Sequence, residues 1–368
     1  MSERLGSFPE PATSIPGRQE APVNANRDLD WQPPNEWRRI RTIDAHAGGE
    51  PLRIILDGFP DPAGDSILSR RRAAREDHDA LRTTLMWEPR GHADMYGCLI
   101  TPAVSEQADF GVLFLHNEGW STMCGHGIIA VTTVALETGL VRKCSPETVV
   151  RIDSPAGLIT AMARVCDDRI ENVRFLNVPS FVLALDQRVE VPGLGDVRYD
   201  LAFGGAFYAY VRAVDVGLAC TPDEFSQLID VGMRIKRAVI AQRPIPHPFE
   251  EDLSFLYGTI FVAPPLSDGA DSRNVCIFAE GELDRSPTGT GVSGRMALHY
   301  ARGEAALGEP QVIESIVGSR FTGRAVEETT FGPHNAIVPE VEGTAHITGA
   351  HTFIIDPDDP LKDGFLLR

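Results

Sequence analysis

The sequence predicts an α+β chain made of two related halves, each an antiparallel sheet wrapped around one buried helix. Three observations carry that prediction. First, Ser121-Thr122-Met123-Cys124-Gly125-His126-Gly127 opens onto Ile128, Ile129, Ala130, Val131, Val134, Ala135 and Leu136. Only Thr132, Thr133 and Glu137 interrupt this apolar run, and Gly139 stops it. A helix apolar on nearly every face belongs inside a domain. Second, the pattern recurs where Ser286-Pro287-Thr288-Gly289-Thr290-Gly291 leads into Val292, Met296, Ala297 and Leu298. A shift of 164 residues carries Cys124 onto Thr288, Gly125 onto Gly289, Gly127 onto Gly291 and Gly139 onto Gly303, the mark of an internal repeat. Third, most of the remaining chain reads as short apolar segments broken by Gly, Pro and Asp, as antiparallel strands do.

Residues 1 to 38 are rich in Pro, Ser, Asn, Glu and Arg without an apolar period, and read as a disordered or loosely attached extension. Ile40 and Ile43 then lead through Asp44-Ala45-His46-Ala47-Gly48-Gly49-Glu50-Pro51 to Leu52–Leu56, a hairpin turning at the glycine pair. Residues 66 to 86 place Leu68, Leu81 and Leu85 among Arg70, Arg71, Arg72, Arg75, Glu76 and Asp77, which predicts a solvated helix of mixed charge. Strands over Tyr96–Thr101 and Phe110–Phe114 run into the Cys124 loop. Further strands are expected over Val149–Ile152, Leu158–Arg164, Val173–Val178 and Val182–Leu185. Thr221-Pro222-Asp223-Glu224 is a helix start, with Thr as cap, Pro in the first turn and Glu three after the cap. Phe225, Leu228, Ile229, Ile235 and Val239 mark one face of that helix. Strands over Tyr257–Ala263 and Asn274–Phe278 precede the second signature loop, and more follow through Phe321, Ile337–Val338, His346–Ile347 and Thr352–Ile355.

At 368 residues the chain has room for two cores. Its net charge of −18 repels nucleic acid and anionic membranes, so neither is an expected partner. An anionic substrate must therefore be held by local features such as helix N-termini. No apolar run reaches membrane-spanning length. Six scattered cysteines with no CxxC pair suit reduced thiols in a cytoplasm.

Cys124 is the candidate base or nucleophile. Gly125 and Gly127 make its thiol accessible, and a helix N-terminus is expected to lower its pKa. Thr288 holds the mirror position, but a hydroxyl does not ionise near neutral pH. Inverting a stereocentre with two bases needs a titratable group on each face. Elimination needs one base and a leaving group on the adjacent carbon. The Cys124/Thr288 pair therefore favours elimination. Backbone N–H groups at Gly125, His126, Gly289 and Thr290 stand at the two helix starts and suit a carboxylate. A metal site built from His46, His116, His126 and Cys124 fits no ligand spacing, and the glycine loops match neither a Walker A loop nor a dinucleotide fingerprint.

Met123-Cys124-Gly125-His126-Gly127 and Asp284-Arg285-Ser286-Pro287-Thr288-Gly289-Thr290-Gly291 together resemble the paired signatures of the proline racemase family. That family includes proline racemases, 4-hydroxyproline 2-epimerases and trans-3-hydroxy-L-proline dehydratases. Asp44–Pro51, Glu88-Pro89-Arg90-Gly91-His92, Asp153-Ser154-Pro155-Ala156-Gly157 and Ile316-Val317-Gly318-Ser319 extend the likeness from about residue 40 to the C-terminus. Racemases and epimerases carry a second cysteine where this chain has Thr288, so the pairing resembles the dehydratase branch. The resemblance implies the diaminopimelate epimerase-like fold, with two pseudo-symmetric domains and the active site in the cleft between them. The expected division is an N-terminal domain over 39–187 carrying Cys124, joined by about 350–368, and a C-terminal domain over 188–349 carrying Thr288. It further implies Cys124 and Thr288 as catalytic positions, with Gly125, His126, Asp284, Gly289 and Thr290 binding substrate. Asp284 would hold the substrate's nitrogen. The implied reaction is dehydration of trans-3-hydroxy-L-proline without metal or organic cofactor. Racemisation or epimerisation and a non-catalytic amino-acid-binding role are the alternatives, and a homodimer is the assembly anticipated.

Overall fold

Around Gly48 and Gly49, with φ of 61° and 92°, the expected hairpin forms between Arg38–Ala47 and Glu50–Asp57. Positive φ at both positions is what glycine permits and other residues resist. The computed structural model describes residues 31–367, so the expected extension lies outside the described residues up to position 30. Trp37–Arg368 forms one compact unit and holds everything described below.

Two series of strands make up that unit. The first runs Ala345–Ile355, Arg38–Ala47, Glu50–Asp57, Tyr96–Thr101, Phe110–His116, Glu147–Ser154, Gly157–Cys166 and Arg169–Leu176, each bonded to the next. The second runs Ser180–Val191, Gly195–Phe203, Phe207–Arg212, Leu256–Ala263, Ser272–Phe278, Gln311–Glu314, Arg320–Phe331 and His334–Gly343. Both follow the same succession: two antiparallel pairings, one parallel, one antiparallel, one parallel, then two antiparallel. The repeat read from a few glycines therefore extends through both sheets. Arg169–Leu176 pairs with His334–Gly343 and joins the series.

The sheets are antiparallel except for these two parallel pairings in each half. A parallel pair needs a long crossover, and the helices supply it. Five α-helices are present among the described residues: α1 (Ile67–Asp77), α2 (Asp79–Met86), α3 (Gly125–Glu137), α4 (Phe225–Gln242) and α5 (Gly289–Arg302). The first half crosses through α1 with α2 and through α3; the second crosses through α4 and through α5.

Helix α3 is buried at every residue from Gly125 to Leu136, as its apolar pattern requires. Ile128, Ile129, Val131 and Val134 are fully removed from solvent, each burial contributing about 1.5–3 kcal/mol relative to exposure. α4 begins after a short 3₁₀ turn at Pro222–Glu224, where the Glu224 carboxylate accepts the Thr221 N–H at 3.3 Å. Its inner face carries Leu228, Ile235 and Val239 as expected, whereas Phe225 is turned outward at the first turn.

The region over 66 to 86 differs from the solvated helix its charges suggest. It breaks at His78 into α1 and α2, and two of its arginines are buried. Arg71 donates to the Trp120 carbonyl at 3.0 and 2.5 Å. Arg82 donates to the carbonyls of His116, at 2.9 Å, and Asn117, while pairing with Asp79 at 2.7 Å. The reason is local: the turn leading to Cys124 presents carbonyls without ladder partners, and a guanidinium has donors enough to satisfy several.

Candidate active site

Helices α3 and α5 meet at their N-termini. A Cβ on Gly125 would lie 2.5 Å from the Gly289 Cα, and one on Gly289 would lie 2.6 Å from the Gly125 Cα. The two helix starts thus touch backbone to backbone, which only glycine on both sides permits. First-turn N–H groups have no partner within their own helix. Those of Gly125, His126, Gly289 and Thr290 are brought together here, giving a cradle suited to an anion.

Cys124 is the N-cap of α3, with an ordinary extended φ of −144°. Its Sγ accepts the Gly127 N–H at 3.2 Å and lies 3.3 Å from Nδ1 and 3.5 Å from Nε2 of His126. Thr288 is the N-cap of α5, but its φ is +66°, a left-handed conformation rare for a β-branched residue. Its hydroxyl does not cap the helix. It donates instead to Asp284 Oδ2 at 2.8 Å, while Asp284 Oδ1 accepts the Ser286 N–H at 2.7 Å.

One cavity is lined by all seven residues singled out from the sequence: Cys124, Gly125, His126, Asp284, Thr288, Gly289 and Thr290. Tyr96, Met123, Tyr208, Tyr257 and Phe278 complete the wall. These five escaped sequence reasoning because an aromatic or Met at a strand or loop position reads as ordinary core. Tyr96 Oη lies 2.5 Å from Ser121 Oγ and 3.3 Å from Tyr257 Oη, and Tyr208 Oη lies 2.7 Å from Thr290 Oγ1.

Burial pushes the Cys124 thiol well above its ordinary range, the charges of Asp284 and Glu50 push it further, and the Gly127 N–H opposes them. This reverses the lowered pKa expected from the helix N-terminus, because one N–H cannot offset complete desolvation beside two carboxylates. Burial also lowers the His126 imidazole, against Asp284 and a hydrogen bond to the Pro51 backbone. The Glu50 carboxyl is raised well above the carboxylate range, first by burial and then by Asp284. Its Oε2 accepts the Arg285 N–H at 2.7 Å, and its Oε1 has no partner among the described residues.

The hairpin motif also works as a clamp. Ser319 Oγ donates to the Gly48 carbonyl at 2.6 Å, so Gly48 and Glu50 hold the turn between Gln311–Glu314 and Arg320–Phe331 and the loop that leads into α5. His46 and His116 stand outside the cavity: His46 Nδ1 accepts the Gly49 N–H, and His116 pairs with Glu282 at 3.2 Å. Among the described residues no three His, Cys, Asp or Glu side chains are grouped to hold a metal ion, and no helix is long and apolar enough to cross a membrane.

Fold and site together define a diaminopimelate epimerase-like protein, in which two pseudo-symmetric halves aim their helix starts at one pocket. The proline racemase profile matches residues 42–366, and the chain belongs to the proline racemase family. A trans-3-hydroxy-L-proline dehydratase of Colwellia psychrerythraea is 50% identical over 92% of this chain and 96% of its own length. A 3-hydroxyproline 2-epimerase of Burkholderia multivorans is 46% identical over 90% of this chain and 99% of its own length. The solved structure of a hydroxyproline epimerase from Agrobacterium vitis, with bound trans-4-hydroxy-L-proline, superposes with a TM-score of 0.85 at 33% identity, covering 90% of this chain and 96% of that one.

Proposed function

We propose that this protein is a hydro-lyase that dehydrates trans-3-hydroxy-L-proline to Δ1-pyrroline-2-carboxylate. The observation that carries this reading is the asymmetry of the two helix starts: a thiol at Cys124, and at Thr288 a hydroxyl committed to Asp284. One titratable group of this kind suffices for elimination and is one short for two-base inversion. The dehydratase of Colwellia psychrerythraea, half identical along almost the whole chain, points the same way.

In this reading the substrate carboxylate occupies the cradle of N–H groups at Gly125, His126, Gly289 and Thr290. The cationic ring nitrogen lies against Asp284. Its arrival offsets the negative charge that helps keep the empty enzyme's thiol protonated. Cys124 then removes the α-proton, hydroxide leaves C3 as water, and the resulting enamine tautomerises. No metal, nucleotide or pyridoxal group has a task in this scheme, since a side chain supplies the base and backbone amides hold the carboxylate.

We further place the protein in the cytoplasm: all six cysteines are free thiols, which suits a reducing compartment. The acidic chain is expected to engage neither nucleic acid nor a membrane, and a homodimer is the anticipated assembly. The pairing of Ala345–Ile355 with Arg38–Ala47 supports an N-terminal domain completed by the C-terminal segment, while the strand Ser180–Val191, which opens the second series, runs across the expected boundary between 39–187 and 188–349. The 3-hydroxyproline 2-epimerase of Burkholderia multivorans favours a second reading, inversion at Cα. Incubating the purified protein with the isomers of 3- and 4-hydroxyproline and with proline separates the two. Loss of water from trans-3-hydroxy-L-proline alone supports the lyase, inversion without water loss supports the isomerase, and binding without turnover leaves only a binding protein.

A further inference from the structure

The stereochemistry of the substrate class restricts where the leaving group can be served, and this inference rests on the dehydratase reading above. In trans-3-hydroxy-L-proline the hydroxyl and the carboxylate lie on opposite faces of the ring. The α-hydrogen is also opposite the carboxylate, so the hydrogen and the departing hydroxyl share one face. A base at Cys124 therefore puts the leaving oxygen on the Cys124 side of the pocket. Thr288 and Asp284 stand at the other helix start and are bonded to each other.

Two groups beside Cys124 could give up a proton. One is His126, whose pKa burial lowers, so that it is a poorer store of a second ring proton. Its ring bonds the Pro51 backbone and faces the Cys124 sulfur, so its hydrogen-bonding capacity is already engaged. The other is a chain of hydroxyls: Ser121 Oγ, Tyr96 Oη and Tyr257 Oη, linked at 2.5 and 3.3 Å. Three hydroxyls carry three protons, and two links use two of them. One proton is left to donate outside the chain. Both tyrosines line the cavity, and the Tyr96 ring sits edge-on to His126 with centroids 5.0 Å apart. Tyr208 is a weaker candidate, because its hydroxyl bonds Thr290 on α5.

We propose that the Tyr96–Tyr257 hydroxyl pair is the acid that protonates the departing 3-hydroxyl. The Cys124 thiolate takes the α-proton and becomes a thiol, and the C–H electron pair forms the Cα=C3 double bond. The C3–O bond breaks with its pair on oxygen, the tyrosine proton joins that oxygen, and water leaves. The phenolate left behind then recovers a proton from the Cys124 thiol, which restores both groups without any oxidant, reductant or further reactant. Complete burial keeps both phenols protonated well above their usual range, so the acid is loaded at neutral pH and its conjugate base is strong enough to be reset.

The test compares two reactions on each sample in D₂O: dehydration of trans-3-hydroxy-L-proline, and α-deuterium exchange into L-proline, which has no leaving group. The variants are Tyr96→Phe and Tyr257→Phe, which keep the ring packing. At least one should lower the ratio of dehydration to exchange by about 100-fold, the lower end of what a general acid supplies. Because the ratio cancels the fraction of folded enzyme, a partly misfolded variant still gives an answer. An unchanged ratio in both variants overturns the assignment and makes the pair structural. A wild-type protein that exchanges proline but dehydrates no hydroxyproline overturns the dehydratase reading itself, a result distinct from the variant ratios.

Discussion

The two helix starts share a frame and differ in chemistry. At α3 the cap is a thiol on relaxed extended backbone, accepting an N–H from its own helix. At α5 the cap is a hydroxyl on left-handed backbone, donating away from its helix to Asp284. Around them the sheets repeat strand for strand, and Gly125 approaches Gly289 too closely for a Cβ on either. A duplicated frame thus fixes where two groups face a ligand and leaves open what those groups are. In the proposed function the reaction follows from the second choice.

Removing the thiol should have the largest effect. Cys124→Ala deletes the proposed base and leaves a small side chain at the cap, so turnover should fall by several orders of magnitude while the melting temperature stays near wild type. Steady-state rates beside a thermal melt check this; retained turnover would mean that the two starts do not differ in the way described.

Disturbing the shared frame should cost less. Gly125→Ala puts a methyl 2.5 Å from the Gly289 backbone, which no side-chain rotation can relieve. The helix starts must separate, and misplacement on the order of 1 Å costs roughly 100-fold in rate. The loss should appear in both kcat and KM, because the proposed carboxylate cradle and the proposed base move together.

The electrostatic contrast predicts a smaller, pH-dependent effect. In the empty enzyme the thiol is held above its ordinary range by burial, Asp284 and Glu50. A raised pKa means that the thiolate fraction, and so kcat/KM, rises as pH climbs through that raised value. Once the cationic nitrogen sits beside Asp284, part of the opposing charge is offset and the pKa falls. The acid limb of kcat should therefore lie at lower pH than the acid limb of kcat/KM, since the first reports the complex and the second the free enzyme. Coincident limbs in the two profiles would remove the role given to Asp284.

Much of this contrast was legible in the sequence. The buried helix showed in its apolar run, the duplication in four aligned positions, and seven of the residues that line the cavity in the two signature loops. Other features were hidden for physical reasons. A basic run on an amphipathic segment looks the same whether its arginines face water or, like Arg71 and Arg82, satisfy carbonyls of a distant turn. Tyr96 and Tyr257 sit in strands, where an aromatic that lines a cavity cannot be told from one that fills the core. The direction of the Cys124 pKa differs from expectation because a helix terminus is visible in sequence, whereas the complete burial of the thiol, and after it the approach of Asp284 and Glu50, is set by the fold. The parallel pairings emerged only with the crossovers, which periodicity does not reveal.

The central claim is that the residue at 288 decides whether a proton can reach the second face of the α-carbon. The most direct measurement is α-deuterium incorporation with chiral analysis of recovered proline in D₂O, on wild type and on Thr288→Cys. The substitution adds a titratable group of similar size and removes β-branching at a φ of +66°, so the fold should accept it. Wild type should exchange the α-proton with retention, and Thr288→Cys should exchange it with inversion while dehydrating trans-3-hydroxy-L-proline more slowly. Efficient inversion of proline by wild type would contradict the account and would require a second acid on the Thr288 side.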